Sequence, residues 1–169
     1  MSEKPVAVVM GSDSDLPVVS ETIRLLEEMG VGVEARVLSA HRTPEEVHAF
    51  ASGAESRGVK VIIAAAGGAA HLAGVIASLT TLPVIGVPME TTALAGVDSF
   101  LSTLQMPAGV PVATVSIGKA GAVNAAVLAL QILALSDAKL RAKLKDYKAG
   151  LAAGVNAKDE KMRGGRESH

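Results

Sequence analysis

The first segment that could do chemistry is Gly11–Asp15, where glycine, hydroxyl and carboxylate residues directly follow a short apolar run. Backbone N–H groups at a helix N-terminus bind anions, and Ser12 could add a hydroxyl contact to a phosphate. Asp15 could accept hydrogen bonds from sugar hydroxyls. Ser12, Asp13 and Ser14 could equally cap the helix that follows, so this segment alone leaves a ligand site and a plain helix cap both open.

A second segment, Ser39–Glu46, adds groups suited to phosphate binding and proton transfer. The planar fork of N–H donors on Arg42 matches phosphate, and histidine is the side-chain type that gains and loses a proton near neutral pH, which makes His41 a candidate acid–base group. Thr43 and Glu46 have the spacing of a capping box, which predicts a helix start that fixes the preceding turn. A His-Arg pair is often only solvated surface, but its position after a predicted strand favours a site.

The third segment, Ala64–Leu72, consists of alanine and glycine until His71. Small residues let the backbone approach a flat ligand closely and offer its N–H and C=O groups, so we predict a recognition loop. His71 could orient a carboxylate or could simply cap and pack the next helix. His48, inside a predicted helix, and His169, at the chain end, fit structural or solvated roles.

All three segments follow predicted strands, because short β-branched runs alternate with helical patterns, as in βαβ units on a parallel sheet. The predicted strands are Val6–Met10, Val31–Leu38, Val59–Ala65, Val84–Val87 and Val112–Ile117. The predicted helices are Asp15–Met29, Pro44–Ser56, Ala69–Leu79, Ala120–Leu135 and Asp137–Leu151. This pattern predicts an α/β fold: a three-layer αβα sandwich, flavodoxin-like and doubly wound, with a five-stranded parallel sheet of order 2-1-3-4-5. Ligands of such sheets bind beyond the carboxyl ends of the strands. The excursion Glu90–Gly109 is expected to be functional or to carry a short helix of its own.

The composition excludes several classes of partner. Hydrophobic residues make up 49% of the 169 residues but aromatic residues only 2%, which argues against stacking platforms for single-stranded nucleic acid and against a flavin pocket walled by rings. The 16 Lys and Arg nearly balance the 17 Asp and Glu, and the formal net charge of −1 provides no overall field for nucleic acid or anionic membranes. The absence of cysteine excludes disulfides, thiolate metal sites and thiol nucleophiles.

The organisation along the chain predicts one soluble domain. Its apolar runs are far shorter than the roughly 20 residues that cross a bilayer, and the N-terminus shows no signal-peptide pattern. We expect a cytoplasmic protein in which residues 1–155 form a single catalytic α/β domain with a C-terminal helix. Residues 156–169 are expected to form a flexible polar tail.

Four motifs taken together, Gly11–Asp15, Ser39–Pro44, Ala66–Leu72 and Gln105–Val112, closely resemble the N5-carboxyaminoimidazole ribonucleotide mutase family of the bacterial purine pathway. The resemblance covers about Val6–Leu135. It implies conversion of N5-carboxyaminoimidazole ribonucleotide to 4-carboxyaminoimidazole ribonucleotide without metal, ATP or organic cofactor. It also implies a flavodoxin-like subunit assembled as a homo-octamer.

The resemblance assigns roles to residues of all three segments. It implies that Ser12, Asp15 and Arg42 bind the substrate, that Ser39 lies close to the phosphate, and that His41 is the general acid/base. The loop around the base and the migrating carboxylate corresponds to residues Gly67, Gly68, Ala69 and His71. The sequence departs from the commonest family pattern beside these positions, at Leu16, Ala65 and Ala73.

The chemistry agrees with these roles, because an electron-rich aminoimidazole can itself capture CO₂ and needs no cofactor. We predict that His41 removes the proton from the carbon that gains the carboxylate and returns it to the departing group. One alternative is the related carboxylase, which uses free CO₂ and aminoimidazole ribonucleotide. Another is a flavodoxin-like signalling or binding module, although a receiver would need an aspartate where Ala64–Gly68 stand.

Overall fold

The computed structural model describes residues 3–164, which belong to two compact units divided between residues 132 and 133. The first unit contains a parallel sheet whose five strands, among the described residues, lie in the order β2-β1-β3-β4-β5. The predicted fold class and strand order are therefore confirmed. The strands are β1 (Val6–Met10), β2 (Val33–Val37), β3 (Val61–Ala66), β4 (Val84–Pro88) and β5 (Ala113–Thr114). The helices are α1 (Leu16–Glu28), α2 (Pro44–Ser52), α3 (Leu72–Ala77), α4 (Val97–Leu104), α5 (Gly118–Leu133) and α6 (Ala138–Gly164), with short 3-10 helices at Asp13–Asp15 and Glu55–Arg57.

The central strands are buried, as their continuous apolar sequences predict. Every residue of β1 and β4 is buried, and so is every residue of β3 except Ala66. Parallel strands that are covered by helices on both faces have no solvated side, so polar alternation disappears. The edge strand β2 is half-buried or exposed along its length.

Helices α1 and α5 pack against each other on one face of the sheet. The buried Thr22 hydroxyl in α1 donates to the Ala122 carbonyl in α5 over 2.7 Å. Ala125, Ala126 and Ala129 of α5 are also fully buried. Their short side chains let the helix lie close to its neighbours.

The opposite face is covered by α2 and α3, whose apolar residues share one core with the central strands. Phe50 of α2, Ile62 of β3, and Leu72 and Ile76 of α3 belong to this cluster. The loops that precede α2 and α3 are thereby fixed to the same rigid sheet.

Helix α4 also lies on this face, within the excursion that was expected to be functional or to carry a short helix. A Cβ added to Gly86 of β4 would overlap the Thr103 side chain of α4 and would lie 3.5 Å from the Ala73 Cβ of α3. Glycine is therefore needed at position 86 for α4 to approach the sheet this closely.

Several element boundaries differ from the predicted ones. Helix α3 begins at Leu72 rather than Ala69, because Gly68 and Ala70 have positive φ angles of 67° and 39°, which an α-helix cannot include. Strand β5 is reduced from the predicted Val112–Ile117 to Ala113–Thr114.

The second unit consists of the turn after α5 and the long helix α6. The Asp137 carboxylate caps α6 by accepting the backbone N–H groups of Lys139 and Leu140 over 2.9 and 3.0 Å. These bonds, above all that from Leu140, lower the pKa of Asp137. The Arg141 guanidinium donates to the Ala134 carbonyl over 2.9 Å.

Helix α6 continues to Gly164, beyond its predicted end at Leu151 and into the predicted tail. The extension contains three Ala and two Lys, which favour a helix, and Arg163 pairs with Asp159 one turn earlier. The rest of that tail, residues 165–169, lies outside the described residues. No helix within residues 3–164 is long and apolar enough to cross a membrane.

Candidate active site

A cavity of about 410 Å³ opens at the carboxyl ends of β1, β2 and β3. The loops after these three strands line it, at the switch point where doubly wound sheets bind ligands. Seven of the nine residues predicted from the sequence line the cavity: Ser12, Asp15, Ser39, His41, Arg42, Gly67 and His71. Gly68 and Ala69 belong to the same loop as Gly67 and are not among the residues that line the cavity.

The loop after β1 both caps a helix and lines the cavity, which are the two roles that its sequence allowed. Ser12 caps the 3-10 helix, since its Oγ accepts the backbone N–H of Ser14 over 3.3 Å and the Ser14 hydroxyl over 2.8 Å. Ser12 also lines the cavity. The N–H of Gly11 donates to the Ala65 carbonyl, which ties the start of this loop to β3. A capping serine is thus held at the cavity wall.

Asp15 lies half-buried at the other end of this loop. Burial raises the pKa of its carboxyl, a backbone hydrogen bond from Ser12 opposes the shift, and the charge of Asp13 adds to it. A carboxylate that has lost part of its hydration gains from a new hydrogen-bond donor. Asp15 is therefore suited to accept hydroxyl groups of a ligand.

The loop after β2 is closed by Thr43. Its hydroxyl accepts the Ser39 N–H over 3.0 Å and donates to the Ser39 carbonyl over 3.1 Å. The predicted capping box with Glu46 is wrong, because the Thr43 side chain makes no hydrogen bond to the N-terminal N–H groups of α2. The hydroxyl instead bonds backward to Ser39, and Pro44 starts the helix without an N–H.

Arg42 joins the first two loops. Its Nη2 donates to the Gly11 carbonyl over 2.9 Å, and its Nε donates to the Ser39 hydroxyl over 3.3 Å. The Ser39 Oγ also accepts the backbone N–H of Arg42 over 3.3 Å. A guanidinium carries five N–H donors, so this anchored side chain retains donors for an anion.

His41 and His71 form a hydrogen-bonded pair that the sequence did not predict. His41 Nε2 lies 2.7 Å from His71 Nδ1, and the two rings meet edge to face with centroids 4.8 Å apart. One ring nitrogen must donate and the other accept, so the tautomer of one ring sets the role of the other in this bond. The residues follow β2 and β3, which are separated by β1, and only the strand order shows that their loops can meet.

The loop after β3 is an irregular turn built around two left-handed residues, Gly68 and Ala70. The Ala70 N–H donates to the Gly67 carbonyl over 3.3 Å, while the Gly68 N–H donates to the Ser99 hydroxyl of α4 over 2.9 Å. Ser99 was not a predicted site residue. The one feature of the sequence that pointed to Ser99 was its position within the excursion Glu90–Gly109.

The arrangement can hold an anion, accept sugar hydroxyls and transfer a proton. Within residues 3–164, no group of three or more His, Asp or Glu side chains is placed to hold a metal ion. The fold and site together define a flavodoxin-like α/β protein whose switch-point cavity is lined by arginine, aspartate, serine and two histidines.

Comparison with known proteins specifies the family. The family model described as AIR carboxylase matches residues 5–153. The chain belongs to the AIR carboxylase family, and the resemblance recognised from the four motifs is confirmed.

Curated relatives match almost the whole chain. The N5-carboxyaminoimidazole ribonucleotide mutase of Pyrococcus horikoshii is 55% identical over 162 residues, covering 95% of this chain and 90% of the relative. The mutase of the same name from Mycobacterium tuberculosis is 53% identical over 161 residues, covering 95% and 91%. The crystal structure of Treponema denticola PurE matches with a TM-score of 0.83 and 29% identity, covering 92% of this chain and 96% of that one.

Proposed function

We propose that this chain is an N5-carboxyaminoimidazole ribonucleotide mutase of purine biosynthesis. The names of the curated relatives support this function. The observation that carries the proposal is that one cavity contains the anchored Arg42 together with the His41–His71 pair. A site with these groups can bind a ribonucleotide and transfer a proton to and from its base.

The substrate's phosphate and ribose are assigned to the first two loops. The donors left on Arg42, with the Ser12 and Ser39 hydroxyls, bind the phosphate, and Asp15 accepts the ribose hydroxyls. The hydrogen bonds to the phosphate are charge-assisted and are proposed to supply most of the binding free energy. The aminoimidazole then lies against the third loop, with the Gly67 backbone and His71 at its edge. Gly68 and Ala69, which do not line the cavity, set the course of that loop.

The reaction is assigned to His41 as a proton carrier. The bond between the carboxylate and the exocyclic nitrogen breaks, CO₂ leaves, and protonated His41 supplies the proton that this nitrogen takes up. The ring carbon then attacks CO₂ with its own electrons, and neutral His41 removes the proton displaced from that carbon. Each turnover gives one proton and recovers one, so the isomerisation needs no co-reactant.

His71 is proposed to orient His41. A hydrogen bond of 2.7 Å to His41 Nε2 fixes the ring and favours one placement of its proton. The small residues Ala40, Ala66 and Ala70 that also line the cavity leave space for CO₂ beside the base.

The finer predictions on assembly and location belong to the same proposal. CO₂ transfer requires exclusion of water, yet His41 and Arg42 are exposed in the single chain. We propose that residues 1–155 form the catalytic unit of a homo-octamer in the cytoplasm, in which neighbouring copies cover the cavity. Light scattering after gel filtration measures this state, and a monomer with full activity would contradict it.

The test of the activity is a comparison of two substrates with purified protein. The mutase converts N5-carboxyaminoimidazole ribonucleotide to the 4-carboxy isomer without added bicarbonate. The rival carboxylase would instead require bicarbonate and aminoimidazole ribonucleotide. It would not use the carbamate, N5-carboxyaminoimidazole ribonucleotide. Bicarbonate-dependent carboxylation at low concentration, with no use of the carbamate, would overturn the proposal.

A further inference from the structure

Ser99 in α4 is a buried polar residue outside the three predicted segments. Its side chain has no exposed surface, and its hydroxyl oxygen accepts the backbone N–H of Gly68 over 2.9 Å. Ser99 does not line the cavity, whereas Gly67, one residue before its bonding partner, does. The bond therefore links a core helix to the wall of the candidate active site.

The loop that receives this bond has a demanding conformation. Gly68 and Ala70 both have positive φ, and for Ala70, a residue with a side chain, this conformation is strained. Strained turns persist only where their surroundings hold them. The Met89 N–H donates to the Ala66 carbonyl at the start of the loop, and the bond to Ser99 holds its middle.

Helix α4 is itself rigidly placed, so Ser99 is a fixed reference point for the loop. The missing side chain of Gly86 lets α4 lie directly on β4. The Thr103 hydroxyl bonds within the helix, to the Ser99 carbonyl over 2.7 Å, and makes no bond to the loop. Near the start of α4, the Thr91 hydroxyl donates to Asp98 over 2.8 Å. The position of the Ser99 oxygen is thus set by core packing.

We propose that Ser99 is a positioning residue of the reaction: its hydroxyl fixes the turn at Gly67–Gly68 so that the loop stays closed against the base and the released CO₂. The kinetic part of this inference rests on the proposed mutase function. The structural part, that the Ser99 hydroxyl immobilises Gly68, is independent of any substrate.

The test compares Ser99→Ala with Thr103→Val. Both variants lose one buried hydroxyl of α4, but only Ser99→Ala removes a bond to the loop. Hydrogen exchange of the Gly68 amide, followed by NMR, is expected to accelerate about tenfold in Ser99→Ala and to stay near wild type in Thr103→Val. Ser99→Thr keeps the hydroxyl and is expected to retain slow exchange.

Kinetics of the same variants separate positioning from general stability. In Ser99→Ala we expect kcat to fall roughly tenfold with KM changed less than about threefold, since Arg42 still grips the phosphate. A larger share of the consumed N5-carboxyaminoimidazole ribonucleotide should be released as aminoimidazole ribonucleotide and CO₂. The spontaneous decarboxylation measured without protein is subtracted from this share. Thr103→Val should lower the thermal midpoint without changing this share.

Equal Gly68 exchange in wild type and Ser99→Ala would overturn the inference, as would an equal kcat loss in Thr103→Val. If the wild-type chain does not isomerise the carbamate, the mutase proposal fails, and the exchange comparison still decides whether Ser99 holds the loop.

Discussion

Two cavities of similar volume lie at opposite ends of the same sheet. The candidate active site, of about 410 Å³, lies at the carboxyl ends of β1 to β3 and holds aspartate, arginine and two histidines. The second cavity, of about 440 Å³, lies at the amino ends of β4 and β5, between Thr80, Thr81, Pro83 and Gly109, and its lining contains no titratable side chain. The candidate active site therefore differs from this second cavity in its titratable side chains and not in its size.

The direction of the strands explains the difference. In a parallel sheet the helix N-termini, with free N–H groups and the positive end of the helix dipole, gather at the carboxyl ends of the strands. Anions and proton carriers are favoured there, and the amino ends offer mainly carbonyl groups. Substitutions at and near the two ends of the sheet test this contrast.

The largest effect is expected at His41, the proposed proton carrier. His41→Asn removes the acid–base group, so kcat should fall at least about 100-fold while substrate binding stays nearly intact. His48→Asn, an exposed histidine in α2 that does not line the cavity, is the matched control. Near wild-type turnover in His41→Asn, measured by steady-state kinetics, would contradict the assignment of His41 as the acid–base group.

The next effect is expected at the phosphate contact. Arg42→Lys keeps the charge but loses the fork that bonds to Gly11 and Ser39. KM should rise about tenfold with a smaller change in kcat, because phosphate binding is shared by ground and transition states. Arg36→Lys, on the exposed edge strand, should leave both constants unchanged. A KM at the wild-type level in Arg42→Lys would remove Arg42 from the phosphate site.

A moderate loss of stability is expected from Thr43→Val. The change keeps the shape of the side chain and removes both hydrogen bonds to the Ser39 backbone. The free energy of unfolding, from urea titration, should drop by about 1–2 kcal/mol. Ser56→Ala, which loses one exposed bond to the Gly53 carbonyl, should change it by less than about 0.5 kcal/mol. Equal losses would mean that the Thr43 turn is not specially stabilised.

A smaller, pH-dependent effect is expected at Asp15. Because burial raises the pKa of Asp15 in the folded state, its ionisation opposes folding. The favourable contribution is present below the ordinary pKa of about 3.9 and is lost as pH rises through the raised value. Asp15→Asn should therefore be more stable than wild type at pH 7, with the difference vanishing toward pH 3.

Glu21 supplies a control of opposite sign for the same urea titrations. Its hydrogen bonds with Lys119 and Arg24 lower its pKa to about 2. Its contribution is therefore present at neutral pH and is lost as pH falls through about 2, so Glu21→Gln should be less stable than wild type at pH 7. An Asp15→Asn variant that is less stable than wild type at pH 7, like Glu21→Gln, would contradict the burial argument for Asp15.

The smallest effect is expected at the amino-end cavity. Thr81→Val removes a hydroxyl from its lining, and kcat and KM for the carbamate should stay within about twofold of wild type. A larger kinetic change would show that this cavity takes part in the reaction and would break the contrast between the two ends.

The sheet was predictable because strands that are buried on both faces consist of continuous apolar residues. The uniform apolar run of β1 gave its bounds to the residue, whereas edge strand β2, with Glu34 and Arg36, is two residues shorter at its start and one at its end than predicted. The start of α3 was missed because nothing in a run of alanine marks Ala70 as left-handed.

Seven of the nine predicted site residues line the cavity, but the hydrogen bonds between them were not predictable. His41 and Arg42 stand out by residue type and by position after a strand. The predicted strand order brings their loops together, but the bonds from Arg42 to Gly11 and from His41 to His71 depend on side-chain conformations that the sequence does not specify. Ser99 carries no local signal, since a serine within a helix is ordinary until its partner is seen.

The contact between Gly86 and Thr103 has a consequence for how genetic variation in this protein should be interpreted. A methyl group added at position 86 would displace α4 from the sheet, and Ser99 would move with it. Gly86→Ala lies in the middle of β4 and outside the cavity lining, yet a screen for growth without purines would score it together with active-site variants. For this fold, distance from the substrate is a poor guide to which alleles impair turnover.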